Sequence, residues 1–111
     1  MKVQFKSRYI PEGTYQLDAS KYQNQRHALV LRDEQGSPVG ILTVNLPANP
    51  MTSSELAIKD YSENEGVLDA LVATGYIDPP HRYIASGHVL IPVCTKTDKF
   101  IELCDPEWLN E

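Results

Sequence analysis

The side chains of this chain that could act as nucleophiles, bases or metal ligands are two cysteines and three histidines. A thiolate beside an imidazole can act as a nucleophile, and Cys and His at short fixed spacings bind zinc. None of them lies in a CxxC, HxH or HExxH arrangement, and no G-x-S-x-G, Walker-type or G-x-G-x-x-G sequence occurs. We therefore expect no metal and no cofactor. One enzymatic alternative stays open, a small enzyme of unknown reaction that uses His88 and Cys94.

Carboxylates are densest between Asp60 and Asp69, a segment that also contains Glu63 and Glu65. Their spacing matches neither a calcium-binding EF-hand loop nor a paired-carboxylate motif. Acidic residues are favourable at the positive end of a helix dipole, and Ser62 with Glu65 fits a capping box. The same carboxylates are also suited to contact a basic partner.

The formal net charge of −5 is unevenly distributed along the chain. Residues 1–54 carry six basic and four acidic side chains, whereas residues 55–111 carry four basic and eleven acidic ones, so the second half is strongly acidic. An acidic field attracts a basic partner and disfavours direct contact with nucleic acid. Aromatic side chains beside the acids are suitable anchors for such a contact. The predicted partner-binding residues are Asp60, Tyr61, Glu63, Glu65, Asp69 and Trp108.

The elements that would position these residues follow from the hydrophobic pattern. In chain order we predict a strand at 2–6, a short strand at 14–17, a hairpin of 28–32 with 39–44, a strand at 55–61, a helix from Ser62 that ends at Gly75, a long strand at 83–94 with a bend at Gly87, and a last strand from Phe100. Pro92 favours an edge position for its half of the long strand. The prediction is one α+β domain over residues 1–111, with an antiparallel sheet of about five strands and one helix packed on a face.

The chain contains no apolar run long enough to span a membrane and begins with strand-like alternation instead of a signal sequence. We therefore expect a cytoplasmic protein without a membrane contact. Cys94 and Cys104 are expected to be reduced thiols in that compartment, and a disulfide between them is left open.

One segment carries a family resemblance. The string from Leu56 to Gly66, with Lys59-Asp60-Tyr61-Ser62-Glu63-Asn64 at its centre, is followed by Leu68, Leu71 and Gly75. It resembles a small family of uncharacterised bacterial domains (domain of unknown function 4313) found mostly in phages, plasmids and other mobile elements. The resemblance covers residues 28–95 and transfers no catalytic or binding residues. It implies an accessory protein that binds and blocks host machinery.

Charge and resemblance together predict a non-enzymatic, protein-binding accessory protein of a phage or mobile element. It would inhibit a host nucleic-acid-handling defence complex, in the manner of an anti-CRISPR or anti-restriction protein, by placing its acidic face on a basic surface of a host protein. Besides the enzyme with His88 and Cys94, a second alternative is a self-associating structural module that forms a homodimer through the strand around Val89 to Val93.

Overall fold

A computed structural model describes residues 2–104 of the chain, with seven strands, two short α-helices and one 3₁₀ turn. The elements are β1 (Lys2–Phe5), β2 (Gly13–Lys21), β3 (His27–Arg32), β4 (Pro38–Ile41), β5 (Glu55–Ala57), the 3₁₀ turn (Ser62–Asn64), α1 (Val67–Thr74), β6 (Arg82–Ser86), β7 (Val89–Thr95) and α2 (Asp98–Cys104).

The strands form two antiparallel sheets. In the first sheet, the order β1-β2-β3-β4 follows the chain, and the inward-facing Leu17 of β2 lies opposite Leu31 of β3. The second sheet has the order β5-β7-β6, so β7 is its central strand. Alternation of buried and exposed residues along β1 is what a half-exposed strand requires, since successive side chains point to opposite faces.

A short pairing joins the two sheets, and we call it the junction: residues 42–44, which follow β4, pair antiparallel with residues 57–59. Thr43 and Ile58 form the bridge. The Val44 N–H donates to Ala57 O (3.1 Å) and the Lys59 N–H donates to Leu42 O (2.9 Å). The Ile58 N–H donates to Pro92 O (3.0 Å), so the junction is also bonded to β7.

The larger hydrophobic core is shared by both sheets and both helices. Phe5 and Leu31 reach it from the first sheet, Leu56 from the second, Leu71 from α1 and Phe100 from α2. A smaller core lies on the other face of the second sheet, where Ala57, Ile84, Ile91 and Val93 are covered by Val44, Leu46, Met51, Tyr61 and Val89. Neither helix is long enough to persist alone, so both depend on this packing.

The structure confirms the α+β class, the antiparallel pairing and the β3–β4 hairpin, with seven strands in place of about five. It contradicts the single long strand at 83–94. Gly87 has a φ of +60° and forms a two-residue turn with His88, so the segment is the β6–β7 hairpin. Pro92 consequently lies in the central strand, and Val89 to Val93 is not the sheet edge required by the predicted homodimer.

The predicted capping box at Ser62 and Glu65 is also wrong. Ser62 is in the 3₁₀ turn with a φ of +55°, and α1 begins only at Val67, after Gly66 with a φ of +93°. The N-cap residue is Gly66, and the capping carboxylate comes from Asp60, whose Oδ1 accepts hydrogen bonds from the backbone N–H groups of Gly66 (3.0 Å) and Leu68 (2.9 Å). A carboxylate at this position accepts hydrogen bonds from backbone N–H groups that would otherwise be unpaired, and its negative charge interacts favourably with the positive end of the helix dipole.

The segment predicted as the last strand forms helix α2 instead. Phe100 of this helix is buried in the larger core, and Leu103, one helical turn later, packs against the same core. Within residues 2–104, neither helix has the length and apolarity needed to cross a bilayer.

Mutation distinguishes the observed capping side chain, Asp60, from the predicted one, Ser62. Asp60→Ala is expected to lower the free energy of unfolding by about 1–2 kcal/mol, because two backbone donors lose their acceptor. Ser62→Ala, the matched control in the predicted but unused cap, is expected to change it by less than about 0.5 kcal/mol. Urea unfolding followed by circular dichroism measures both, and a larger loss in Ser62→Ala than in Asp60→Ala would contradict the assignment.

Candidate functional site

The predicted acidic residues lie on one continuous segment that crosses from the junction to the first turn of α1. Asp69 is exposed on α1, whereas Asp60 is half-buried because its carboxylate caps the helix. Glu63 belongs to the 3₁₀ turn, and Glu65 lies between that turn and α1. The four carboxylates therefore lie within ten residues of one another along this segment, and Asp60 has a structural role in addition.

Two of the carboxylates already bind cations of the same chain. The Lys59 ammonium pairs with Glu63, which raises the pKa of Lys59 and lowers that of Glu63. The Arg8 guanidinium lies 2.6 Å from Glu65, and the Arg8 N–H donates to the Glu65 carbonyl oxygen (3.2 Å). Both carboxylates are exposed, at 65% for Glu63 and 51% for Glu65, so these pairs are surface pairs.

Of the two predicted aromatic anchors, the structure describes only Tyr61. Tyr61 is half-buried and packs against the smaller core, with the Lys59 ammonium 5.5 Å from its ring centroid. Its ring is therefore only partly available to a partner. Trp108 lies outside the described residues.

A further carboxylate, Asp78, comes close to the same region. Its backbone N–H donates to Thr95 O (3.0 Å), beside Cys94 on β7. Burial raises the pKa of Cys94 to about 12, and the negative charges of Asp78 and Asp60 contribute to the rise. Asp60 and Asp78, from two segments of the chain, therefore both act electrostatically on one buried thiol. We call the set Asp60, Glu63, Glu65, Asp69 and Asp78 the acidic surface.

The predicted enzymatic pair, His88 and Cys94, is not brought together. His88 is exposed at the tip of the β6–β7 hairpin, and Cys94 is fully buried six residues further along. At about 3.3 Å per strand residue, the two side chains are separated by roughly 20 Å. Cys94 is a free thiol held in its protonated form, which makes it a poor nucleophile.

Sequence reasoning missed a polar cluster at the end of the second sheet. The Glu55 carboxylate, only 9% exposed, accepts two hydrogen bonds from the Arg82 guanidinium (2.8 and 3.0 Å) and lies 2.6 Å from His81 Nε2. It also accepts the Thr52 N–H (2.9 Å). These hydrogen bonds, above all those from Arg82, hold the pKa of Glu55 well below its ordinary value of 4.5. The Thr95 hydroxyl lies 3.3 Å from His81 Nδ1.

Beside this cluster is an open groove of about 310 Å³ that includes Arg26, His27, Glu55 and Lys96 in its lining. Its cations are held by the chain itself. Arg26 donates to Leu46 O and Asn49 O (2.6 Å each), and Lys96 donates to His27 Nδ1 (2.8 Å) and Ser53 O (2.6 Å). Burial and the charge of Lys96 lower the pKa of His27, so its ring is neutral and accepts that hydrogen bond.

In the sequence, Glu55 is separated from His81 by 26 positions and from Arg82 by 27, so no local spacing indicates this cluster. In the part of the chain that the structure describes, no three His, Cys, Asp or Glu side chains converge as ligands for a metal ion. Comparison with protein-family models, with curated proteins and with solved structures finds no match for this chain. The family resemblance of residues 28–95 accordingly stays a prediction.

The Glu55 cluster predicts a pH-dependent stability. In the unfolded chain Glu55 takes up a proton at its ordinary pKa of 4.5, whereas in the folded chain it does so only at lower pH. The unfolded state therefore binds more protons below about pH 5, and the free energy of unfolding falls as the pH is lowered from there. Glu55→Gln is expected to cost about 1–2 kcal/mol at pH 7 and to flatten this fall.

Urea unfolding at several pH values measures the dependence. Glu34→Gln, which removes one exposed carboxylate from the β3–β4 turn, is the matched control for the change in net charge. A Glu55→Gln protein with the wild-type stability and the wild-type slope below pH 5 would show that the cluster does not stabilise the fold.

Burial of Cys94 predicts that its thiol is protected from alkylation. In the native protein at pH 8, iodoacetamide is expected to leave Cys94 unmodified, because the thiol is both inaccessible and protonated. Peptide-resolved mass spectrometry, with protein unfolded in urea as the positive control, distinguishes it from Cys104. Rapid labelling of native Cys94 would contradict the buried environment.

Proposed function

We propose that this domain is a non-enzymatic protein-binding module whose acidic surface contacts a basic surface of another protein. The observation that carries the proposal is the row of carboxylates along the 60–69 segment, together with the exposed carboxylate of Asp78. Asp69 and Asp78 are exposed, and Glu63 and Glu65 keep at least half of their side chains accessible. An acidic surface of this kind raises the association rate of a basic partner and weakens with added salt.

The two ion pairs within the acidic surface support this use. Exposed ion pairs contribute only about 0–1 kcal/mol each, so a partner's Arg or Lys can replace Lys59 or Arg8 at little cost. The geometry of each pair also shows that a Lys or Arg head group fits beside the carboxylate. Asp60 differs, because loss of its hydrogen bonds would uncap α1, and we assign it to the support of the surface.

A more specific form of the proposal combines this surface with the family resemblance. In this form the protein is a cytoplasmic accessory protein of a phage or mobile element. Its acidic surface occupies the basic groove of a host defence complex in place of nucleic acid, as an anti-CRISPR or anti-restriction inhibitor. It would then compete with nucleic acid for its partner and make no direct contact with nucleic acid itself.

Charge reversal tests the acidic surface. Wild-type protein, Glu63→Lys/Asp69→Lys and the control Glu12→Lys/Glu34→Lys, which has the same net charge, are immobilised and exposed to bacterial lysate. Some lysate proteins are expected to be retained at low salt by both the wild type and the control. The amount of these proteins that Glu63→Lys/Asp69→Lys retains is expected to be lower by a factor of at least about ten. They are also expected to be released by about 0.5 M salt, which screens exposed charges, and by added duplex DNA.

The experiment distinguishes an effect of net charge, binding through the acidic surface, and competition with nucleic acid. Equal loss from both double variants would mean that only net charge matters, and unchanged retention by Glu63→Lys/Asp69→Lys would overturn the acidic surface. Retention that DNA does not displace would overturn the specific form while leaving the surface in place. Thermal unfolding of each variant establishes that it is folded.

A further inference from the structure

The outer edge of β6 differs from the other strand edges of the molecule. Exposed strand edges invite pairing with another strand, and proteins usually protect them with charge, proline, or a covering segment. The edge strand β1 carries Lys2 and is followed by Lys6, and β4 begins with Pro38. The carbonyl oxygen of Ile41 at the end of β4 accepts a hydrogen bond from the buried Asn64 amide (2.7 Å), and β5 continues into the junction.

Strand β6 carries its one charged residue, Arg82, at its first position, where Glu55 holds the guanidinium, and the rest of its outer edge lacks these protections. From Tyr83 to Ser86 it contains no charged residue and no proline, and no described residue forms a hydrogen bond with its outer side. Two large apolar side chains beside this edge are exposed, Tyr83 at 56% and Leu90 at 66%. The surrounding sequence from Pro79 to Thr97 contains no acidic residue, although the chain as a whole is acidic.

The hairpin geometry determines which backbone groups face outward. Ser86 and Val89 flank a two-residue turn, so they form a hydrogen-bonded pair of the ladder. Because such pairs alternate along antiparallel strands, Tyr83 and Ala85 direct their N–H and C=O groups away from β7. The open edge therefore presents two donors and two acceptors in a row.

We propose that this edge binds a second copy of the chain, with the two β6 strands antiparallel about a two-fold axis at Ile84. In this register Tyr83 lies opposite Ala85 of the partner subunit and Ala85 opposite the partner's Tyr83. The outward groups then form four backbone hydrogen bonds, and the two three-stranded sheets become one continuous six-stranded sheet. No other register pairs all of these groups, since a shift by one residue would place Ile84 groups, which face β7, opposite them.

Side-chain sizes and charges also fit this register. On the exposed face each Tyr83 ring lies beside the small Ala85 of the partner subunit, and Leu90 extends the apolar row on the far side of Ala85. The charged residue of the strand, Arg82, lies opposite the partner's Ser86, so the two arginines do not meet. The carboxylate that contacts this strand, Glu55, is paired with Arg82, so its charge is balanced where two acidic molecules would approach.

Sedimentation analysis of the full-length chain tests the dimer. As the concentration is raised from about 10 μM to about 1 mM, the average mass is expected to rise from 12.5 kDa toward twice that value. Over the same range, hydrogen exchange at the Tyr83 and Ala85 amides is expected to slow. Ala85→Lys, which places two ammonium groups next to the axis at an exposed position, is expected to weaken association at least about tenfold.

Ala73→Lys, at an exposed position of α1, is the matched control and is expected to associate as the wild type does. A monomer at all concentrations would overturn the proposal. A dimer that forms equally well in Ala85→Lys would also overturn it. So would a dimer in which hydrogen exchange slows at amides of β1 or β4 instead of β6. Association of Glu63→Lys/Asp69→Lys at the wild-type strength keeps this test independent of the acidic surface.

Discussion

The junction, in which residues 42–44 pair with residues 57–59, is the interaction on which the rest of the structure depends. It turns two small sheets into parts of one hydrophobic core, because Leu42 and Ile58 both enter that core from the paired segments. It closes the free side of β5 and leads the chain to Asp60, whose carboxylate then starts α1. Asn64, a few residues later, covers the end of β4. The placement of the 60–69 segment and the covered end of β4 therefore follow from one pairing.

How much of this fold the sequence predicts depends on the distance over which each interaction acts. The β3–β4 hairpin is predictable because its apolar strands and its Asp33–Ser37 turn are adjacent in the chain. The β6–β7 hairpin is misread as one strand, since Gly87 and His88 interrupt an apolar run without a polar loop. The capping box fails for a related reason. The spacing of Ser62 and Glu65 is correct, but Gly66 adopts a positive φ and brings the more distant Asp60 carboxylate to the helix.

The candidate site shows the same division. The density of carboxylates between Asp60 and Asp69 is visible in the sequence, and the structure leaves Glu63, Glu65 and Asp69 exposed. The pairing of Glu65 with Arg8, 57 residues away, is not visible, nor is the electrostatic effect of Asp78 and Asp60 on Cys94. Cations from both halves of the chain, Arg8 and Lys59, therefore moderate the excess of acidic residues in the second half. What remains is a surface of exchangeable ion pairs and exposed carboxylates, suited to reversible binding.

A junction of this kind should make both sheets one cooperative unit, and native-state hydrogen exchange of the full-length chain measures whether it does. The amides of Val44, Ile58 and Lys59 donate the hydrogen bonds of the junction, and the Leu29–Leu31 segment lies within the first sheet. The junction amides are expected to exchange only through global unfolding, with the same free energy as the most protected amides of that segment. Exchange of the junction amides through a lower-energy opening, while the first sheet stays protected, would contradict it.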